Sequence, residues 1–403
     1  MTDILMPVDL AGKKILVTGA TGFIGGRLVE RLVSEFGADV RVLLRNFTSG
    51  FRIARYPIRM IYGDVTRPDD VARAVADCDY VIHCAYGNSG SSQLKRQINV
   101  DGTRNVLEAA RQAGNKRVVH VSTVQVYGVL GDGVFDENTP RKYAGDAYSD
   151  SKLDAENLAT DFAATHGLPL CIIEPTVVYG PFATTWSSAI LESMKTTRQI
   201  LVDGGDGLCN AVYVDDLVSA IVLATVRNEA VGERFLISGN QPVRWGDYFG
   251  SFEKMLGEPA TINMSIAEAD AASAKRSIPK RHMFGETIRI LRHDRTTRKR
   301  LTSTVEGQFL YRTLARMISK PAMQALKQRA IPVSSGDPSD RPKQKPIKPL
   351  FDPLNARFFA ARTAISIDKA KRLLGYEPQF DLARGMAATE QWCRWANLIE
   401  PPK

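Results

Sequence analysis

"VTGATGFIGG", residues 17–26, puts glycine at four of ten positions directly after the apolar run Ile15-Leu16-Val17. Glycines between a strand and a helix, here at 19, 22 and 25, let the chain turn tightly and bring backbone N–H groups up to a pyrophosphate. They also let the helix lie close on the sheet. An anion at that turn meets unpaired N–H groups and the positive end of the helix dipole. A plain strand-to-helix turn is the alternative, and the neighbouring segments decide against it.

From residue 14 to about 125, short apolar runs alternate with helical patterns: "KILVTG", a helix from Gly22 to Phe36, "VRVLL", "IRMIYGD", a helix near Pro68 to Ala76, "YVIHCA", a helix from Val100 to Ala113, and "RVVHVST". Strands joined through helices demand parallel crossovers, so the expectation is an α/β fold, a Rossmann-type doubly wound parallel sheet. "LPLCIIEPTVVYG" (168–180) and "GERFLIS" (232–238) read as further strands of it. The expected division is a dinucleotide-binding domain over 1–182, rejoined by 208–240, and a smaller C-terminal substrate-binding domain from 183–207 and 241–403 carrying a basic insertion, 265–355.

The chain has 403 residues and a net charge of +9, and the charge is concentrated. Residues 275–348 hold 19 Lys and Arg against 5 Asp and Glu, which leaves the remainder acidic. Basic residues there are not interleaved with stacking aromatics, so nucleic acid is not an expected partner. The insertion reads as a solvated face or a lid for an anionic substrate. Its amphipathic part, 304–320, also admits peripheral contact with an anionic membrane. No apolar run is long enough to span a bilayer and no secretory signal opens the chain, so a cytoplasmic protein is expected. Five scattered cysteines, 78, 84, 171, 209 and 393, read as reduced thiols, and no metal site is expected.

At the end of the second strand an NAD enzyme commonly carries an acid for the ribose hydroxyls. This chain has Arg45 in "VLLRN", which would pair with a 2′-phosphate and favours NADP over NAD. Asp64, ending the third strand, is read either as an adenine contact or as a helix cap.

"AYSDSKLDAENL" contains Tyr148 and Lys152. A spacing of four places both on one helix face, where an ammonium favours the phenolate. A free phenol titrates near ~10, too high for efficient proton transfer at neutral pH, and the cation supplies the tuning. Thr123, in "HVSTVQVYG" on the carboxyl edge of the sheet, could hold a substrate oxygen; a β-forming role is the alternative.

These features, with "GDVTRPDDV", "VIHCA", "NVDGTRNVLEAA", "EPTVVYGP" and "YVDDL" in order and spacing, resemble the extended short-chain dehydrogenase/reductase family, its NAD(P)-dependent epimerase/dehydratase group. The resemblance runs over residues 12–240, and "DKAKRLLGYEPQFDLARGM" is similar to that family's C-terminal helices. It implies that Thr123, Tyr148 and Lys152 are the catalytic hydroxyl, the acid/base and the ribose-binding cation. It implies cofactor contacts at Gly19, Thr21, Gly22, Phe23, Ile24 and Gly25 in the turn, and at Arg45, Asp64, Val65 and Ala85 at strand ends. Pro175 and Val178 would lie beside the nicotinamide, with Tyr148 and Lys152 shared between the two roles. It also implies a small-molecule substrate and admits a homodimer.

Two departures carry weight. Glu174 stands where many sugar-acting members have Arg. Val124 and Gln125 stand where dehydratases carry an Asp-Glu pair, so elimination of water by such an acid is not expected. The reading is an NAD(P)-dependent oxidoreductase or epimerase of a secondary alcohol or ketone, with a nucleotide sugar first among substrates. A reductase of a sterol- or flavonoid-like carbonyl, and a non-catalytic dinucleotide sensor or scaffold, are the alternatives. His83 and His120 are expected as core groups with satisfied nitrogens, Asp215 as a helix cap, and Trp392 and Trp395 as packing residues.

Overall fold

The computed structural model describes residues 8–87, 91–268 and 353–399. Most of the basic insertion, including the amphipathic stretch 304–320, lies outside the described residues. The expectations of a lid and of membrane contact fall there with it.

Seven strands form one parallel sheet: β1 (Lys14–Thr18), β2 (Asp39–Leu44), β3 (Arg59–Tyr62), β4 (Tyr80–His83), β5 (Arg117–Val121), β6 (Leu170–Pro175) and β7 (Arg234–Ile237). Their order is β7-β6-β5-β4-β1-β2-β3, so the strand order reverses between β1 and β4. Both β5 and β6 are buried at every position, as strands covered on both faces must be. On one face pack α1 (Phe23–Ser34) and α5 (Val214–Val226); on the other pack α2 (Pro68–Val75), α3 (Gly102–Ala113) and α4 (Ala147–His166). The doubly wound architecture is as the strand-helix alternation predicts.

The stretch 168–180 does not run as one strand. After Pro175, which brings no N–H to the ladder, Thr176 donates to Ile237 and Val177 to Asn210. Val177–Tyr179 then pairs in parallel with Ala211–Tyr213 as a separate two-stranded sheet. The switch carries the chain away from the main sheet at its carboxyl edge.

Two side chains sit otherwise than expected. Asp215 does not cap α5, whose N-cap is Tyr213 with no side-chain cap bond. It lies inside the first turn, where its carboxylate takes a bidentate grip on Arg27 at 2.5 and 2.9 Å, tying α5 to α1. Trp392 packs against Phe182, whereas Trp395 is 75% exposed and fills no core. The two lie only about 60° apart around the helix, but Trp395 is its last residue and its indole extends past the packed face.

Because the Arg27–Asp215 pair is partly shielded and doubly bonded, Asp215→Asn should lower the unfolding free energy by about 1–3 kcal/mol. Urea melts of the two proteins measure this, and the loss should shrink at high salt.

Candidate active site

The glycine turn shows why side chains are excluded from it. Gly19 has φ +70°, and a Cβ there would lie 2.6 Å from the carbonyl carbon of Cys84 at the end of β4. A Cβ on Gly25 would overlap the Gly19 carbonyl. Gly22 is the N-cap of α1 and offers no side chain to its first N–H groups. Thr21 and Gly22 are exposed, and Phe23 and Ile24 are half-buried behind them. The result is an uncapped helix N-terminus in a cradle that only glycine permits, which fits a dinucleotide diphosphate.

The remaining expected cofactor residues lie along the same carboxyl edge. Arg45 is exposed just past β2. Asp64 neither caps α2, whose N-cap is Arg67, nor stands free: its Oδ1 accepts from the Thr66 N–H and hydroxyl, both at 2.9 Å, closing the turn ahead of the helix. Val65 is buried beside Gly102. The Ala85 N–H donates to the Thr18 hydroxyl at 3.3 Å. Pro175 and Val178 are buried on either side of the strand break.

Thr123, Tyr148 and Lys152 come together where β5 ends. Thr123 follows the strand and caps the turn Val124–Tyr127 with its hydroxyl, which accepts from the Gln125 N–H at 3.3 Å and neighbours the Tyr148 phenol. Asp146 caps α4 through the N–H groups of Tyr148 and Ser149, fixing the register of the helix face. Lys152 is buried, and its Nζ donates to the Val121 carbonyl at 2.7 Å.

The electrostatics differ from the expectation of a phenol acidified by its lysine. Burial, then the neighbouring Tyr86, push the Tyr148 phenol up to about 12, and the Thr123 hydroxyl opposes them only in part. The ammonium is engaged by Val121 instead. Burial lowers Lys152 to about 8 against the opposing charge of Glu156. At neutral pH the site therefore presents a protonated phenol and a cation.

Several residues of the site went unread in the sequence. Tyr86, 49% exposed, packs edge-on against Tyr148 with ring centroids 5.8 Å apart. Asn99, in the π-helical turn Gln97–Asp101, donates to Ser151, which in turn donates to the Tyr148 carbonyl. Gln125, already marked by the sequence as a departure, gains a partner the sequence did not show: it accepts from Ser149 at 2.9 Å, a neutral amide where a dehydratase would hold its acid. Serine and asparagine carry no spacing signal that would have exposed these links. The position four past Lys152, Glu156, did carry one.

His83 is satisfied, by Thr18 at 2.7 Å and Thr103 at 3.0 Å, and burial lowers it to about 3. His120, paired with it across β4 and β5, has neither ring nitrogen bonded. The expectation of a satisfied core histidine is met at His83 and not at His120, whose ring nitrogens find no partner from the protein. Among the described residues no cluster of metal ligands occurs.

Residues 15–238 match the profile of the NAD dependent epimerase/dehydratase family. The chain belongs to that family. It is an enzyme of the extended short-chain dehydrogenase/reductase type. Curated relatives in the family include a 4-hydroxy-2-methyl-3-oxo-4-farnesyl-3,4-dihydroquinoline-1-oxide ketoreductase of Stigmatella aurantiaca, 28% identical across 65% of this chain and 78% of that one. They also include a probable dTDP-glucose 4,6-dehydratase of Sinorhizobium fredii, 32% identical across 57% of this chain and 73% of that one. A solved UDP-glucuronic acid 4-epimerase of Bacillus cereus, in complex with NAD, superposes with a TM-score of 0.64 at 19% identity. It covers 94% of this chain and 96% of its own, and shares the fold.

With lysine side chains labelled for NMR, one resonance should titrate near pH 8 while exposed lysines stay near ~10.4, and it should be absent from Lys152→Met. A Lys152 resonance titrating with the rest would mean that its burial does not govern it.

Proposed function

We propose that this family member catalyses net redox at a secondary alcohol or ketone, with Tyr148 as the proton donor or acceptor. The observation that carries the reading is the meeting of Thr123, at the end of β5, with the capped helix of Tyr148, whose buried Lys152 is bonded to the last carbonyl of that strand. A bound nicotinamide dinucleotide supplies the hydride donor or acceptor. Gly19, Thr21, Gly22, Phe23, Ile24 and Gly25 would hold its diphosphate, and Lys152 its ribose.

A phenol near 12 is neutral at physiological pH and can give its proton to a carbonyl oxygen held by Thr123. Lys152, largely protonated below about 8, places a positive charge on the same helix face as the phenolate left behind. In the alcohol-to-ketone direction the same phenolate takes the proton back. Elimination of water is disfavoured, because Gln125 has no proton to give a leaving hydroxyl.

Two substrate classes are supported by different observations. A nucleotide sugar is supported by the dehydratase relatives. A non-sugar ring ketone is supported by the exposed Tyr86 ring against Tyr148, which offers an apolar surface to the substrate, and by the ketoreductase relative. Arg45, exposed at the end of β2 with no acid beside it, supports NADP over NAD.

Tyr148→Phe should keep cofactor affinity and lose roughly two orders of magnitude or more in kcat, read with a panel of sugar nucleotides and ring ketones; full turnover would reject the assignment. Titration of NADP and NAD should show NADP bound more tightly, by an advantage that Arg45→Ala removes. Equal affinities for both dinucleotides in both proteins would refute the role of the arginine.

A further inference from the structure

Behind Thr123 and Lys152 lies a cluster of charge that the proposed chemistry does not use. Glu156 projects from α4 one turn beyond Lys152, Glu174 from β6, and both carboxyl groups are wholly buried. Glu156 pairs with Arg141 Nη1 at 2.8 Å and accepts from the Ser122 hydroxyl. Glu174 Oε2 accepts from the Tyr127 hydroxyl at 2.8 Å. Arg234 Nη1 stands 3.9 Å from Glu156 and 3.7 Å from Glu174 Oε1, near enough for attraction and too far for a hydrogen bond. With both acids ionised, Glu174 Oε1 and Arg234 Nη1 are left without a hydrogen-bond partner from the protein, Glu174 at a fully buried position.

We propose that Glu156 and Glu174 are positioning residues for the catalytic hydroxyl and amine, joined by a carboxyl-to-carboxylate hydrogen bond in which Glu174 is the donor. The proposal rests on the active-site reading above. A proton on Glu174 Oε1 turns an unpartnered acceptor into a donor facing Glu156. It also removes the cost of burying two like charges side by side. The groups facing the pair are Arg141 ahead of α4, Arg234 on β7, Tyr127 in the turn after Thr123, Ser122 after β5 and Lys152 on α4 itself. Burial and the charge of Glu156 both favour the neutral form of Glu174, against the pull of Arg234.

The pair reaches the chemistry by two routes. Ser122 is held from both sides, its N–H by the Ile173 carbonyl at 2.7 Å and its hydroxyl by Glu156, and it fixes the backbone that presents Thr123. Glu156 also opposes the burial that strips Lys152 of its proton.

Two variants of the full-length protein test this. Without the Glu156 charge, Lys152 deprotonates earlier, so in Glu156→Gln the alkaline limb of kcat should move down by about one pH unit, with kcat about tenfold lower on that limb. Glu174→Ala should lower kcat as well, and Glu174→Gln, whose amide can donate where the acid did, should restore it to within about threefold. A readout independent of turnover is the melting temperature against pH. A carboxyl whose folded pKa is raised takes up a proton on folding, so its stabilisation is lost as pH rises above the ordinary glutamate range. The wild type should therefore fall progressively relative to Glu174→Gln between about pH 5 and 8. Parallel melting curves would overturn the shared hydrogen bond, and an unmoved alkaline limb in Glu156→Gln would overturn the positioning role. Should Tyr148→Phe keep full turnover, the active-site reading fails while the melting curves still judge the acid pair.

Discussion

The ammonium of Lys152 is buried, and its bond to the Val121 carbonyl fastens the helix that carries Tyr148 to the strand that presents Thr123. A buried cation is costly unless its surroundings compensate. The compensation is visible on all sides. Glu156 supplies the opposing charge one turn away, and the two histidines of the adjacent strands are both driven toward their neutral forms by burial. An imidazolium at either position would repel the lysine from below. The neutral pair therefore adds no repulsion to the cation at the pH where the phenol is a proton donor.

The glycine turn and the catalytic helix also share a buried polar frame. Thr18, closing β1, bonds His83; His83 bonds Thr103; Thr103 donates to the Asn99 carbonyl; and the Asn99 amide donates to Ser151 on α4. Each group satisfies the next, and a network so paired is rigid and costly to break at any single link. Asn99 reaches Ser151 from a π-helical turn, whose extra residue per turn rotates its side chain off the regular helical face. The frame thus ties the cradle for a diphosphate to the residues that would handle the substrate proton.

The fold was legible because its signals are local. Apolar runs, glycine punctuation and a helix after each strand leave few topologies other than a doubly wound sheet, and the pairs of β1 with β2 and β4 follow from it. Tyr148 and Lys152 were legible through one helical spacing. What escaped was set by tertiary contact. No pattern announces that Arg27 rather than a helix N-terminus claims Asp215. None announces that Pro175 ends a strand although the sequence runs on with strand-forming residues to Tyr179. The pairing of the two acids escaped for a different reason: the spacing that sets Glu156 one turn past Lys152 says nothing of Glu174, 18 positions on, and burial of either carboxyl leaves no mark in the sequence.

The two departures from the sugar-acting pattern bear on whether the site is a working one. Gln125 cannot act as the elimination acid, yet it is bonded to Ser149 on the catalytic helix. Glu174, fully buried where many sugar-acting members have arginine, accepts from Tyr127 and has Arg234 and Glu156 beside it. A site released from function accumulates polar groups without regard to partners, and in a dry interior each would cost about 1–3 kcal/mol. Here each substitution is met by groups from separate elements that converge on it. That convergence fits a site rebuilt for a different substrate or direction of reaction better than one that has lost its chemistry, and it weighs against a scaffold that merely binds a dinucleotide.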